Sequence, residues 1–154
     1  MEIKQFLHLD IMEKFPDLKL NKETNRYDYG GLMYLNDGYL VDGHFPIPLG
    51  VIRGEFNCND CLTLKTLENA PTEVGEFTCG HCDELTSFKG MPQNIRRGIY
   101  VAGCNKVENL EGMPRICNGT LQAYSMKGLK SLKGAPEIVK GTCYFSGNDQ
   151  LTDL

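Results

Sequence analysis

The chain has 154 residues, of which 41% are hydrophobic and 23% charged, with a formal net charge of -4. That length holds one domain or one repeat array with a capping segment; the composition excludes a disordered chain, and no apolar run approaches the roughly 20 residues that cross a bilayer. Residues 1–90 carry 15 Asp/Glu against 8 Lys/Arg, whereas residues 91–154 carry 5 against 8, a positive balance too small and too scattered to make nucleic acid an expected partner.

Ile3, Phe6, Leu7 and Ile11 lie at helical spacing and predict a short amphipathic helix ending near Phe15 and Pro16. The same opening stretch carries acids within its apolar pattern and lacks a small-residue cleavage site, so a secretory signal is not expected. Seven cysteines without such a signal point to a reducing, cytoplasmic setting. Leu32, Met33, Tyr34 and Leu35 precede Asn36-Asp37-Gly38, with Tyr39, Leu40 and Val41 after it, a pattern that predicts a hairpin with a glycine turn. Residues 1–45 are therefore expected to form an α+β N-terminal cap, and residues 46–154 a solenoid of five units.

The solenoid expectation rests on a repeat. Pro48, Pro71, Pro92, Pro114 and Pro136 are separated by 23, 21, 22 and 22 residues, and a fixed short period marks units that bury their apolar faces only against one another. After most prolines comes an aliphatic residue (Ile52, Val74, Ile95, Ile116, Ile138), then a glycine (Gly54, Gly75, Gly98, Gly119, Gly141). Counting two residues on from each glycine places Phe56/Cys58, Phe77/Cys79, Tyr100/Ala102, Leu121/Ala123 and Cys143/Phe145 on the inward side of a strand, because alternation of period two is a half-buried strand. Stacked in parallel, these strands put Phe56 on Phe77, then Tyr100, then Leu121. Downstream, Leu64/Leu67, Leu85/Phe88, Val107/Leu110, Leu129/Leu132 and Leu151/Leu154 are spaced by three, which suits one helical or 3₁₀ turn. The Gly-Met-Pro and Gly-Ala-Pro corners then return the chain.

Segments such as YVAGCNKVENL (residues 100–110) resemble the L-x-L-x-x-N-x-L-x-x-L core of leucine-rich repeat proteins, with Cys61, Cys82, Asn105, Met126 and Asn148 at or near the Asn/Cys position. The proline-cornered unit is most similar to the short bacterial and phage-type repeats, over roughly residues 46–154. Most units carry one extra residue before the first downstream leucine, and Met126 replaces the ladder Asn. The resemblance implies a leucine-rich-repeat-like parallel β-ladder with short turns behind it, and a non-enzymatic, protein-binding function as a phage or bacterial modulator or inhibitor of a host protein.

Two other chemistries are open at this point. Cys58-x2-Cys61 and Cys79-x2-Cys82 have the spacing of a four-cysteine zinc site, which would make a zinc-stabilised module, one that could contact nucleic acid. Both pairs occupy the same positions of consecutive units, however, and those positions continue as Ala102/Asn105, Ala123/Met126 and Phe145/Asn148, so core thiols are the favoured reading and no cofactor is expected. His81 beside Cys79 and Cys82 raises a thiol-dependent enzyme; no phosphate loop or paired-carboxylate motif adds to it, and no enzyme is expected.

The residues between the inward ones would face out: Glu55 and Asn57, Glu76 and Thr78, Ile99 and Val101, Thr120 and Gln122 with Tyr124 next along, and Thr142 and Tyr144. Exposed aliphatics at Ile99 and Val101 and amphipathic aromatics at Tyr124 and Tyr144 mark this surface as the expected contact with another protein. The last strand, residues 142–146, is expected to offer an unpaired edge for self-association or a partner.

Overall fold

The computed structural model describes residues 10–153. It is a mostly-β parallel solenoid of about five turns in which each turn hydrogen-bonds to the next. Strands β4 (Leu49–Asn57), β5 (Glu73–Thr78), β7 (Ile99–Tyr100), β9 (Leu121–Gln122) and β11 (Cys143–Tyr144) form one parallel ladder. On the leading side, β6 (Asn94–Ile95) extends the pairing of β5, while β8 (Ile116–Cys117) and β10 (Ile138–Val139) pair with each other.

Register decides which side chains are core. Phe56, Phe77, Ile99, Leu121 and Cys143 are in direct register. The third unit therefore differs from expectation: Ile99, not Tyr100, stands in the inward column, and Ile99 and Val101 are fully buried. Counting from Gly98 put this unit one residue out, and a one-residue slip moves every side chain of a strand to the other face. The residue that occupies the glycine row is Arg97, whose amide donates to the Gly75 carbonyl at 2.8 Å. A second slip of the same kind affects the leading side, where Cys117 and Val139 point inward while Ile116 and Ile138 are 37% and 46% exposed.

With the register corrected, all units share one pattern. Phe56, Cys58, Cys61, Leu64, Leu67 and Ala70 repeat as Phe77, Cys79, Cys82, Leu85, Phe88 and Met91, and again as Ile99, Val101, Cys104, Val107, Leu110 and Met113. Each unit closes two single turns rather than one: the amides of Leu64 and Ala70 donate to the carbonyls of Cys61 and Leu67 at 3.1 and 3.0 Å, and equivalent bonds recur above. The corners between strand and first turn fall on Asp60, His81, Gly103, Ser125 and Gly147, all with positive φ, and those before the prolines on Asn69, Gly90, Gly112 and Gly134. These left-handed residues turn the chain through the coil's corners.

Ion pairs link neighbouring units along the coil. Glu73, Glu84, Glu108 and Glu111 reach up one unit to Arg96, Lys106, Lys130 and Lys133 at 2.7–3.0 Å, and Arg115 reaches Glu137 at 2.7 Å. Pairs this exposed each contribute about 0–1 kcal/mol.

Before the repeats, residues 10–14 are helical, and the Phe15 amide closes on the Ile11 carbonyl at 2.8 Å just ahead of Pro16; Ile3, Phe6 and Leu7 lie outside the described residues, as does Leu154. The expected hairpin around Asn36-Asp37-Gly38 is not formed. Asp37–Tyr39 is a 3₁₀ turn with Asn36 accepting from the Gly38 amide, and β3 (Met33–Tyr34) instead pairs in parallel with β4, placing Met33 on Phe56. The antiparallel hairpin lies earlier, between β1 (Lys19–Asn21) and β2 (Arg26–Tyr29), turned by Asn25 at φ 56°. Among the described residues no helix is long and apolar enough to cross a membrane.

Candidate functional site

The outward face of the main ladder is a set of rows running across the strands. One row reads Tyr34, Asn57, Thr78, Tyr100, Gln122, Tyr144, each in register with the next. Beside it, Glu55 stands opposite Glu76. Thr120 and Thr142 precede Leu121 and Cys143 on their strands, and Tyr124 lies past β9 on the other flank. Tyr34, Tyr124 and Tyr144 are 50%, 38% and 48% exposed. Of the expected contact residues, Glu55, Glu76, Thr120, Gln122, Tyr124, Thr142 and Tyr144 retain exposed surface. Ile99 and Val101 do not: they are core, and Tyr100 is the outward residue that takes the place assigned to them. Tyr34 was missed because its segment was read as a hairpin arm instead of a further rung.

Polar contacts tie this face together. The Tyr34 hydroxyl donates to Glu55 Oε2 at 3.1 Å and the Asn57 amide to Glu55 Oε1 at 2.8 Å, while Glu76 meets Arg97 Nε at 3.5 Å. The hydrogen bond to Glu55, then its charge, raise the Tyr34 phenol above its ordinary range, with Glu76 adding to the effect. Tyr100 is raised by burial first and by the Glu76 charge second.

Behind the face lies a dry thiol column. Cys58, Cys61, Cys79, Cys82 and Cys104 are all fully buried. The third inward position donates to the preceding unit at every level that can: Cys61 to the Leu35 carbonyl at 3.5 Å, Cys82 to Cys58 at 3.3 Å, Cys104 to Cys79 at 3.1 Å, and the Asn148 amide to Ala123 at 2.8 Å. Cys104, not Asn105, holds this position in the third unit. Asn105 instead accepts from the Lys127 amide at 3.0 Å.

Cys79 and Cys82 approach to 3.5 Å, yet among the described residues no group of three or more His, Cys, Asp or Glu side chains is arranged to hold a metal ion. Burial, reinforced by the Cys82 charge, pushes the Cys61 thiol up to about 12. His81 sits exposed at a left-handed corner while the thiols on either side of it face the core, which gives a substrate no path to either sulfur.

A labelling experiment checks this arrangement. Six of the seven thiols are buried and Cys143 is exposed, so iodoacetamide at neutral pH should add a single carbamidomethyl group, at Cys143, and modify the rest only after denaturation. Native-state adducts on Cys79 or Cys82, read by peptide mass spectrometry, would contradict the buried column.

No family model matches the chain, and comparison with curated proteins and with solved structures likewise returned no match.

Proposed function

We propose that this solenoid is a non-enzymatic protein-binding module that recognises its partner through the outward strand face. The observation that carries the reading is the row of Tyr34, Asn57, Thr78, Tyr100, Gln122 and Tyr144, held in register on a parallel ladder. A ladder packed from behind is rigid, so its outer side chains lose little freedom on binding, and tyrosine supplies large contact area with few rotatable bonds. Residues of this kind are enriched where proteins meet. The likeness of its units to leucine-rich repeats, and to the short repeats of phage and bacterial proteins, supports a role as a modulator or inhibitor that covers a host protein's surface, with residues 1–45 closing one end of the coil.

The test is affinity purification from host lysate with the wild-type chain and with Tyr100→Ala/Tyr144→Ala. Both substitutions remove outward side chains, so circular dichroism should be unchanged. The expected result is a captured protein lost from the double variant, with affinity reduced at least about tenfold, as for removal of two interface aromatics. Equal recovery of the same protein by both chains would remove the strand face from consideration.

A further inference from the structure

We propose that two copies of the chain meet end to end about a two-fold axis, with β11 of one pairing antiparallel to β11 of the other. The inference concerns the edge of the ladder and stands independently of its outward face. In the fourth unit Cys117, Leu121, Ala123 and Leu129 are buried beneath the fifth. Their counterparts Val139, Cys143, Phe145 and Leu151 lack such a cover: Cys143 is exposed, and the other three are only partly buried against the core. At the opposite end the N-terminal segment supplies buried Ile11, Phe15 and Leu18, with the Phe15 ring packed on Tyr29 of β2.

Hydrogen bonding leaves the same edge open. The amides of Leu121, Ala123 and Ser125 donate to the carbonyls of Thr142, Tyr144 and Ser146, all at 2.9 Å, so those three residues face β9. In a parallel ladder the residues between them turn their backbone groups the other way. Among the described residues nothing meets the Cys143 amide and carbonyl or the Phe145 amide. The Phe145 carbonyl accepts from the Asn148 side chain at 2.9 Å and keeps its second lone pair. Such an edge is a template for a further strand.

The segment is complementary to itself. Its bonds to β9 run from Thr142 to Ser146, so Tyr144 is the midpoint. Antiparallel pairing centred there sets Cys143 and Phe145 opposite Phe145 and Cys143 of the second copy, with reciprocal hydrogen bonds. Tyr144 then stands beside Tyr144 of the second copy at the close, non-hydrogen-bonded spacing where aromatic pairs stabilise a sheet. Residues 141–148 carry no charge, so no like charges are opposed. Charge lies just outside, with opposite sign at the two ends: Lys140 and Asp149 are exposed, and neither side chain has a partner among the described residues. Antiparallel pairing brings each lysine to the other copy's aspartate, whereas pairing in the same direction would set lysine beside lysine. The axis also brings the open ends face to face, so that Val139, Phe145 and Leu151 of each copy are covered by the other, as an isologous contact requires.

Sedimentation equilibrium over a dilution series at low salt should show the full chain associating reversibly to a dimer. As the concentration rises, alkylation of Cys143 should slow and the Cys143 and Phe145 amides should gain protection from hydrogen exchange. Lys140→Glu sets like charges together at both ends of the pairing and should weaken the dimer at least about tenfold, while Lys140→Glu/Asp149→Lys should return it to within about threefold of wild type. Cys143→Pro removes an edge amide that β9 does not use, so the dimer should be lost with circular dichroism unchanged. A monomer at every concentration, a dimer indifferent to Lys140→Glu, or failure of the charge exchange to restore it would overturn the proposal, and these outcomes decide it even where Cys143→Pro does not fold.

Discussion

Phe77→Ala is expected to cost about 3–5 kcal/mol, the usual penalty for emptying a buried phenylalanine site, and to lower the thermal midpoint by roughly 6–20 °C for a domain of this size. Phe77 is fully buried, stacks on Phe56 with ring centroids 6.0 Å apart, and lies under Ile99 in the inward column. The cavity would open in the middle of the array. In a solenoid each unit is stabilised chiefly by its two neighbours, so a loss there weakens both interfaces and threatens to uncouple the halves. Ile99→Ala in the same column should cost about 2–5 kcal/mol. Tyr100→Ala, one residue along and outward, should cost well under about 1.5 kcal/mol. Thermal melts of the three variants test the register itself: a Tyr100→Ala protein less stable than Ile99→Ala would restore the column that counting from Gly98 suggested.

That contrast shows where the sequence was readable and where it was not. The prolines and the leucine pairs identified the solenoid because burial of an apolar side every turn leaves a period in the chain. Counting from glycine put Phe56, Phe77, Leu121 and Cys143 in the register of the inward column, although Cys143, in the last strand, is exposed. Glycine was the wrong ruler in the third unit alone. Gly98 follows the glycine row by one residue, since Arg97 there can occupy a position that most units give to glycine, and the error carried Ile99 and Val101 onto the wrong face. The downstream residues Leu64, Leu85, Val107, Leu129 and Leu151 were the better ruler, each standing eight after its inward partner. The rung at Met33 and Tyr34 was hidden because its chain lacks the leucine pair, and turn residues Asn36-Asp37-Gly38 serve a 3₁₀ turn as well as a hairpin. The hairpin at β1 and β2 was hidden for the opposite reason: its strands are polar and largely uncovered, so no alternation marks them. The corner row of Asp60, His81, Gly103, Ser125 and Gly147 shares a backbone conformation but no side-chain chemistry, and nothing in composition links such residues before the coil is seen. The Glu55 and Glu76 opposition was legible only once the strands were aligned.

Gly112→Ala is the second change with a large expected effect, for two reasons that can be separated. Gly112 has φ +105°, a conformation that costs an L-residue about 1–2 kcal/mol. In addition, a Cβ there would land on the carbonyl group of Phe88 and the amide of Lys89, which are backbone atoms of the unit below. Those atoms can yield only if the two turns separate, adding about 1–3 kcal/mol of overpacking. The equivalent corner one unit below Gly90 is filled by Asn69 at φ 67°, where the amide side chain donates to the Phe45 carbonyl at 3.1 Å. Asparagine tolerates left-handed geometry better than alanine. If dihedral strain were the whole cost, Gly112→Asn would recover most of the stability lost in Gly112→Ala. The close approach of the units predicts the reverse, with Gly112→Asn at least as destabilised, while Asn69→Gly should cost no more than about 1 kcal/mol. Urea denaturation of the three variants decides between them, and recovery by asparagine at position 112 would mean that the turns are less tightly stacked than these contacts require.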